Sequence, residues 1–164
     1  VDHIPPLGYI LGDEGGGVSV GRRFIADFIK DLLPPSLRDE FAEEYRLDYE
    51  KVVDAVYKGR NPSGFLASFA PFVVQRAERN EYARKIVTDN FRNFIERALL
   101  AYRRPGEDME AGVTGAFGCS CRPLLEDLGR EYGIYFVKFI DSPIKVLSGY
   151  HENYNFAPLE NGEV

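Results

Sequence analysis

The sequence has 164 residues, the size of one domain, and its 45% hydrophobic content, with 12 Phe and 10 Tyr, is enough to build a sizeable core. A formal charge of −6 and a pI near 5.0 argue against nucleic acid or an anionic membrane as the main partner. Either would call for a basic patch, and the basic residues stand singly or in pairs such as Arg22-Arg23 and Arg103-Arg104. No run approaches the roughly eighteen apolar residues of a membrane span, and no leader pattern opens the chain, so the expected location is the cytoplasm.

Val1 stands where an initiator methionine would, which reads as a cut or a boundary. Leu7 to Leu11 is short and apolar and predicts a strand. The opening of a helix follows at Val18, and Phe24, Ile25, Phe28, Ile29, Leu32 and Leu33 recur at three and four, placing one stripe on a core until Pro34-Pro35. Ser36-Leu37-Arg38-Asp39 resembles a capping arrangement for a short helix to about Tyr45, with Leu37 and Phe41 inward. Asp48 caps the next helix, which carries Val52, Val53, Val56 and Tyr57 up to the Gly59 to Gly64 break. Phe65, Leu66, Phe69, Phe72, Val73 and Ala77 form another stripe, with a kink or a restart at Pro71. Asn80 to Tyr102 is the longest periodic segment and predicts a long helix.

After the hydrophilic turn Arg103 to Asp108, Ala111 to Gly118 reads as a strand ending in a glycine turn. A helix carrying Leu124, Leu125, Leu128 and Tyr132 ends at Gly133. Ile134 to Ile140 has the β-branched and aromatic content of a strand, and Ser142-Pro143 opens a last helix with Ile144, Val146, Leu147 and Tyr150. Residues 152–164 form a polar tail expected to be mobile. Cys119 and Cys121 are one residue apart, too close for an unstrained disulfide and too few for a metal site, so reduced thiols are expected. His3 and His151 read as surface residues.

Chemistry concentrates in Gly8 to Gly17, where five glycines in ten residues surround Asp13-Glu14. So many glycines lose much backbone entropy on folding, which suits left-handed turns or a ligand close to the backbone. One reading is a site for an anion or a hydroxyl-rich ligand at a helix start; the other is a plain turn with a solvated Asp-Glu pair. Gly115 to Gly118 is likewise either tight strand-to-helix packing or the second wall of a cleft shared with the first turn. No phosphate-binding P-loop, zinc spacing or nucleophile elbow occurs.

Pro6-Leu7-Gly8-Tyr9-Ile10-Leu11-Gly12-Asp13-Glu14-Gly15-Gly16-Gly17, followed by Gly21-Arg22, resembles the Gly-Asp-Glu-Gly-Ser-Gly segment of N-acetylglucosamine kinases and their relatives in the BadF/BadG/BcrA/BcrD-type ATPase family. Gly115-Ala116-Phe117-Gly118 sits where that family has its adenosine motif, Gly-Ser-Val-Ala. Ser142-Pro143-Ile144 with Gly149-Tyr150-His151 resembles its closing Ser-Pro-Met-Glu-Gly-Leu segment and Tyr-His. The resemblance covers about Pro5 to His151. It implies an α/β, ribonuclease H-like (actin-like ATPase) fold, of which residues 1–151 would be an incomplete, helix-rich C-terminal lobe with a small sheet.

The implied activity is transfer of the ATP γ-phosphate to a hydroxyl of an amino sugar such as N-acetylglucosamine, with Mg2+ as the accompanying ion. Leu7, Gly8 and Asp13 would then line the sugar site, and Gly115, Ala116 and Ser120 would approach the nucleotide. Two serines of the family pattern are replaced, by Gly16 and Ala116, and Cys119 and Cys121 stand where bulkier residues are usual. The family's phosphate loops and general base have no counterpart in these 164 residues, so no catalytic residue is assigned and the chain alone is expected to be inactive. The missing N-terminal lobe of the same protein is the implied partner, a homodimer another. Two alternatives belong to other classes: a non-catalytic dimerisation or regulatory module, and an activator ATPase of a CoA-ester dehydratase or reductase, whose iron–sulfur cluster would need better-placed thiolates.

Overall fold

The structure, a computed structural model, describes residues 3–5, 7–144 and 147. Its first element, α1 (Gly8–Leu11), is one helical turn and not the expected strand. A strand needs a ladder partner, and the sheet among the described residues has two strands that already pair with each other, late in the chain. The segment closes on itself instead. Gly12 N–H donates to Gly8 O at 2.9 Å, and Arg22 Nη1 donates to the Tyr9 and Ile10 carbonyls at 2.9 and 3.1 Å.

α2 (Gly17–Ile29) buries Val20, Gly21, Phe24 and Ile25. It stops before the predicted stripe does: Asp31 adopts a φ of 56°, the chain leaves the helix, Leu32 is exposed, and Leu33 reaches the core from the loop. α3 (Pro35–Tyr45) starts on Pro35, whose fixed φ and absent N–H suit a first helical position. Ser36 is therefore inside the helix and does not cap it, while Leu37 and Phe41 are buried as their spacing requires. α4 (Tyr49–Tyr57) is capped by Asp48, whose Oδ1 accepts from Lys51 N–H at 2.9 Å. α5 (Pro62–Ala67) precedes α6 (Ala70–Arg76), and Pro71 lies in the first turn of α6, so it marks a restart. At Gly21 a Cβ would sit 1.8 Å from Leu66 O, so only glycine lets α2 cross α5 this closely.

α7 (Glu81–Arg97) is capped by Asn80 and gives way to a 3-10 turn, Leu99–Tyr102, so the long predicted helix is shorter by that turn. β1 (Met109–Thr114) ends earlier than expected, because Gly115 turns with φ 106° and Ala116 to Gly118 already belong to α8 (Ala116–Ser120). α9 (Arg122–Glu131) ends at Gly133, φ 65°, and β2 (Ile134–Ile140) pairs parallel to β1, from Met109 with Ile134 to Thr114 with Ile140. A register shift opposite Ala111 and Gly112 leaves Val137 unpaired. That extra residue moves the inward side chains from Ile134 and Phe136 to Phe139. Pro143, Ile144 and Leu147 are helical, with Ile144 and Leu147 exposed. Val146, the Gly149-Tyr150-His151 segment, the tail and Pro6 lie outside the described residues.

The core is continuous but uneven. Phe41 is fully buried and meets the rings of Phe24, Phe28, Tyr45, Phe69 and Phe72 at centroid distances of 4.5 to 5.6 Å. Edge-to-face geometry dominates, which the ring quadrupoles favour. Arg76 covers Phe72 at 3.4 Å and pairs with Glu40 and Glu44, tying α6 to α3. The remainder runs through Ile86, Val87, Phe91 and Ile95 of α7 to Leu125, Leu128 and Ile134. No helix among the described residues is long and apolar enough to cross a membrane.

Candidate functional site

The loop after α1 is built by its backbone. Asp13 takes a left-handed φ of 71°, tolerable for a short polar side chain, and Gly16 N–H donates to Asp13 O at 3.0 Å to close a four-residue turn. Gly15, φ 79°, occupies the third place of that turn, where a positive φ is the type II signature. It could carry no side chain in any case, because a Cβ would approach the Phe94 ring to 2.8 Å. A Cβ at Gly16 would come within 2.5 Å of Asp13 Oδ2. The glycines thus allow the loop to lie on α7 and the Asp13 carboxylate to fold back over its own turn.

The Gly115 turn meets this loop. Asp13, Glu14, Gly15 and Gly16 line one cleft of about 460 Å³ with Thr114 and Gly115 to Gly118 at the carboxyl end of β1. Its apolar wall includes Phe91, Phe94 and Phe117, with Phe91 and Phe117 stacked at 5.6 Å. Gly118 is needed because a Cβ would strike Val113 Cγ1 at 2.6 Å. Strand-to-helix packing and a shared cleft, the two readings of this turn, are both realised in one place.

Electrostatically the wall is one-sided: among the described residues Asp13 and Glu14 are its ionisable members, and neither lysine nor arginine lines it. Asp13 Oδ2 is buried with no hydrogen-bond partner among the described residues. Burial pushes the Asp13 carboxyl above its ordinary range, and Glu14 adds to this. The Ser19 N–H and the Arg22 guanidinium act in the opposite sense. Glu14 pairs with Arg97 at 3.5 Å. An unpaired buried acceptor costs on the order of 1–3 kcal/mol, a cost that a hydroxyl donor on a bound ligand would offset.

Of the residues the sequence singled out, Asp13, Gly115 and Ala116 line the cleft. Leu7 and Gly8 are exposed around α1 and lie outside that lining. Ser120 Oγ donates to Phe117 O at 2.7 Å, and Ser120 borders a separate hollow with Glu78, Arg84, Cys121 and Asp127. Both thiols are free, and burial pushes that of Cys121 up, away from the reactive thiolate. His3 is exposed, and His151 lies outside the described residues. The sequence reading missed Asn90, which is 5% exposed and binds the loop from α7. Its signal was a polar residue on an apolar stripe, between Ile86-Val87 and Phe94.

No family model matches the chain, and no curated protein does. Among solved structures it is similar to one from Porphyromonas gingivalis, named a putative N-acetylglucosamine kinase, with 33% identity and a TM-score of 0.81. The fold is sugar-kinase-like. The likeness covers 92% of this chain and 52% of that one, so the chain spans about half the length of its neighbour. In that shared frame the chain is a helix-rich α/β unit with a small parallel sheet.

Proposed function

We propose that the chain is the C-terminal lobe of an ATP-dependent amino-sugar kinase of the N-acetylglucosamine type, and that the cleft between the Asp13 loop and the Gly115 turn receives its ligands. The observation that carries this reading is Asp13, a residue of the wall of a cleft shared with a glycine turn, whose buried Oδ2 has no partner among the described residues. The likeness to a named kinase over 92% of the chain supports it. Asp13 accepts from a sugar hydroxyl, and Gly115 and Ala116 let the backbone approach the nucleotide. Leu7, Gly8 and Ser120 have no contact within the lining in this proposal.

The fit to the cofactor is partial. Aromatic and backbone groups suit the adenosine end of ATP, whereas a wall without lysine or arginine offers the triphosphate no cation. Magnesium held mainly by phosphate oxygens and waters asks a protein for one or two carboxylates, and Glu14 is the carboxylate of this wall that the sugar does not take. The phosphate-orienting loops and the general base belong, in this reading, to an N-terminal lobe, so the 164 residues alone bind but do not phosphorylate.

Calorimetric titration of N-acetylglucosamine and Mg-ATP into the full-length gene product tests the proposal. Both ligands should bind, and Asp13→Asn should weaken the sugar by roughly a hundredfold while sparing the nucleotide. Binding of neither ligand would sink the kinase reading. It would favour an interaction module, for which the apolar groove of about 440 Å³ between α1, α2 and α4, with Ile10 and Tyr57 exposed, is the supporting observation.

A further inference from the structure

One face of α7 reads the glycine loop in register. Asn90, Phe94 and Arg97, spaced at four and three, stand on one side of the helix. Arg97 pairs with Glu14, Phe94 packs against Gly15, and Asn90 reaches Gly15 and Gly16. Among the described residues Asn90 is the buried polar side chain of the core, and both ends of its amide are committed to the loop. Its Oδ1 accepts from Gly15 N–H at 3.1 Å and its Nδ2 donates to Gly16 O at 3.3 Å. These bonds bracket the Gly15–Gly16 peptide, one from the middle of the turn that Asp13 begins and one just past its end, and Gly16 is the residue against which the Asp13 carboxylate rests.

We infer that Asn90 is a positioning residue for Asp13: by holding Gly15 and Gly16 it fixes the left-handed conformation at Asp13 and keeps the carboxylate against the cleft wall, and so sets selectivity for a hydroxyl-bearing ligand. The alternative is a residue that merely stabilises the core. Packing alone disfavours that alternative, since leucine would suit the same stripe without burying an amide. An amide is required only because the loop's N–H and C=O face the helix at this point. Asparagine supplies one acceptor and one donor at the reach that both need. This inference rests on the proposed sugar site for its functional half and on geometry for its structural half.

The test compares Asn90→Leu with Asn90→Ala, each of which removes both bonds without adding a charge. Two readouts are taken on the full-length gene product: the carboxyl titration of Asp13 by 13C NMR, and KM against kcat for N-acetylglucosamine. The groups facing Asp13 are Glu14 on its own loop and the Ser19 N–H and Arg22 on α2, and all are unchanged in both variants. Expected in Asn90→Leu is an Asp13 titration moved down toward the ordinary carboxylate range, with the sugar KM raised roughly tenfold and kcat changed less. Asn90→Ala should follow Asn90→Leu in KM. An unmoved Asp13 titration in a folded Asn90→Leu protein would overturn the inference, and so would the same result in Asn90→Ala should Asn90→Leu fail to fold. A moved titration with unchanged KM, where Asp13→Asn also leaves KM unchanged, would overturn the sugar-site reading while leaving the positioning role intact.

Discussion

The two sides of this molecule are held by different forces. Around Phe41, α2, α3 and α6 interlock through aromatic rings, and Phe24, Phe69 and Phe72 are each almost fully buried. Around the cleft, Phe91, Phe94 and Phe117 form one apolar wall, but the loop and turn beside it are shaped by backbone. Glycines at positive φ, the Asn90 amide and the Glu14–Arg97 pair hold that loop and turn, and one carboxylate oxygen has no partner among the described residues. Apolar contact is additive and tolerant of small shifts, whereas a loop defined by φ angles and two hydrogen bonds has one solution. Stability and candidate function therefore occupy opposite ends of one continuous core.

The sharpest way to break this contrast is Phe41→Ala. It deletes a ring that touches five others, and unfolding by denaturant should show a loss of about 3–5 kcal/mol, with ligand affinity at low temperature nearly unchanged. Gly115→Ala comes next. No atom lies near enough to obstruct the new Cβ, so the whole effect is the strain of φ 106°, about 1–3 kcal/mol. Here affinity should fall with stability, because the strained residue is itself a cleft wall.

Asp13→Asn gives the smallest stability effect, and one of opposite sign. A carboxyl raised by burial binds its proton more tightly folded than unfolded, so its charge costs stability above the folded pKa, and that cost fades as pH falls through the raised value. The variant should melt slightly higher than wild type at neutral pH, with the difference shrinking in acid, while sugar affinity falls roughly a hundredfold. A variant less stable at neutral pH would show that the Asp13 carboxylate is satisfied.

Much of the fold was legible because its signals are local. Asp48 as a cap, the buried pair Leu37 and Phe41, the restart at Pro71 and the strand Ile134 to Ile140 each follow from a residue's own conformational preference or from a repeat of neighbours. Leu7 to Leu11 failed because a short apolar run has no period, and only the absence of a ladder partner decides for α1. Ala116 to Gly118 failed because one glycine at φ 106° ends the strand sooner than its composition suggests. At the site, the glycine clusters marked both turns, but strand-end geometry accounts only for the Gly115 turn after β1, since the Asp13 loop follows the helical turn α1. Asn90 could not be found that way, since its partners are 74 and 75 residues distant in sequence.

Hydrogen exchange of the full-length gene product with and without N-acetylglucosamine tests the central claim most directly. Protection should rise at Asp13 to Gly16, with Gly15 N–H already slowed by Asn90 in the free protein, and the Phe41 region should be unaffected. Sugar-induced protection confined to other segments, or none at saturating sugar, would contradict the assignment of this cleft as the ligand site.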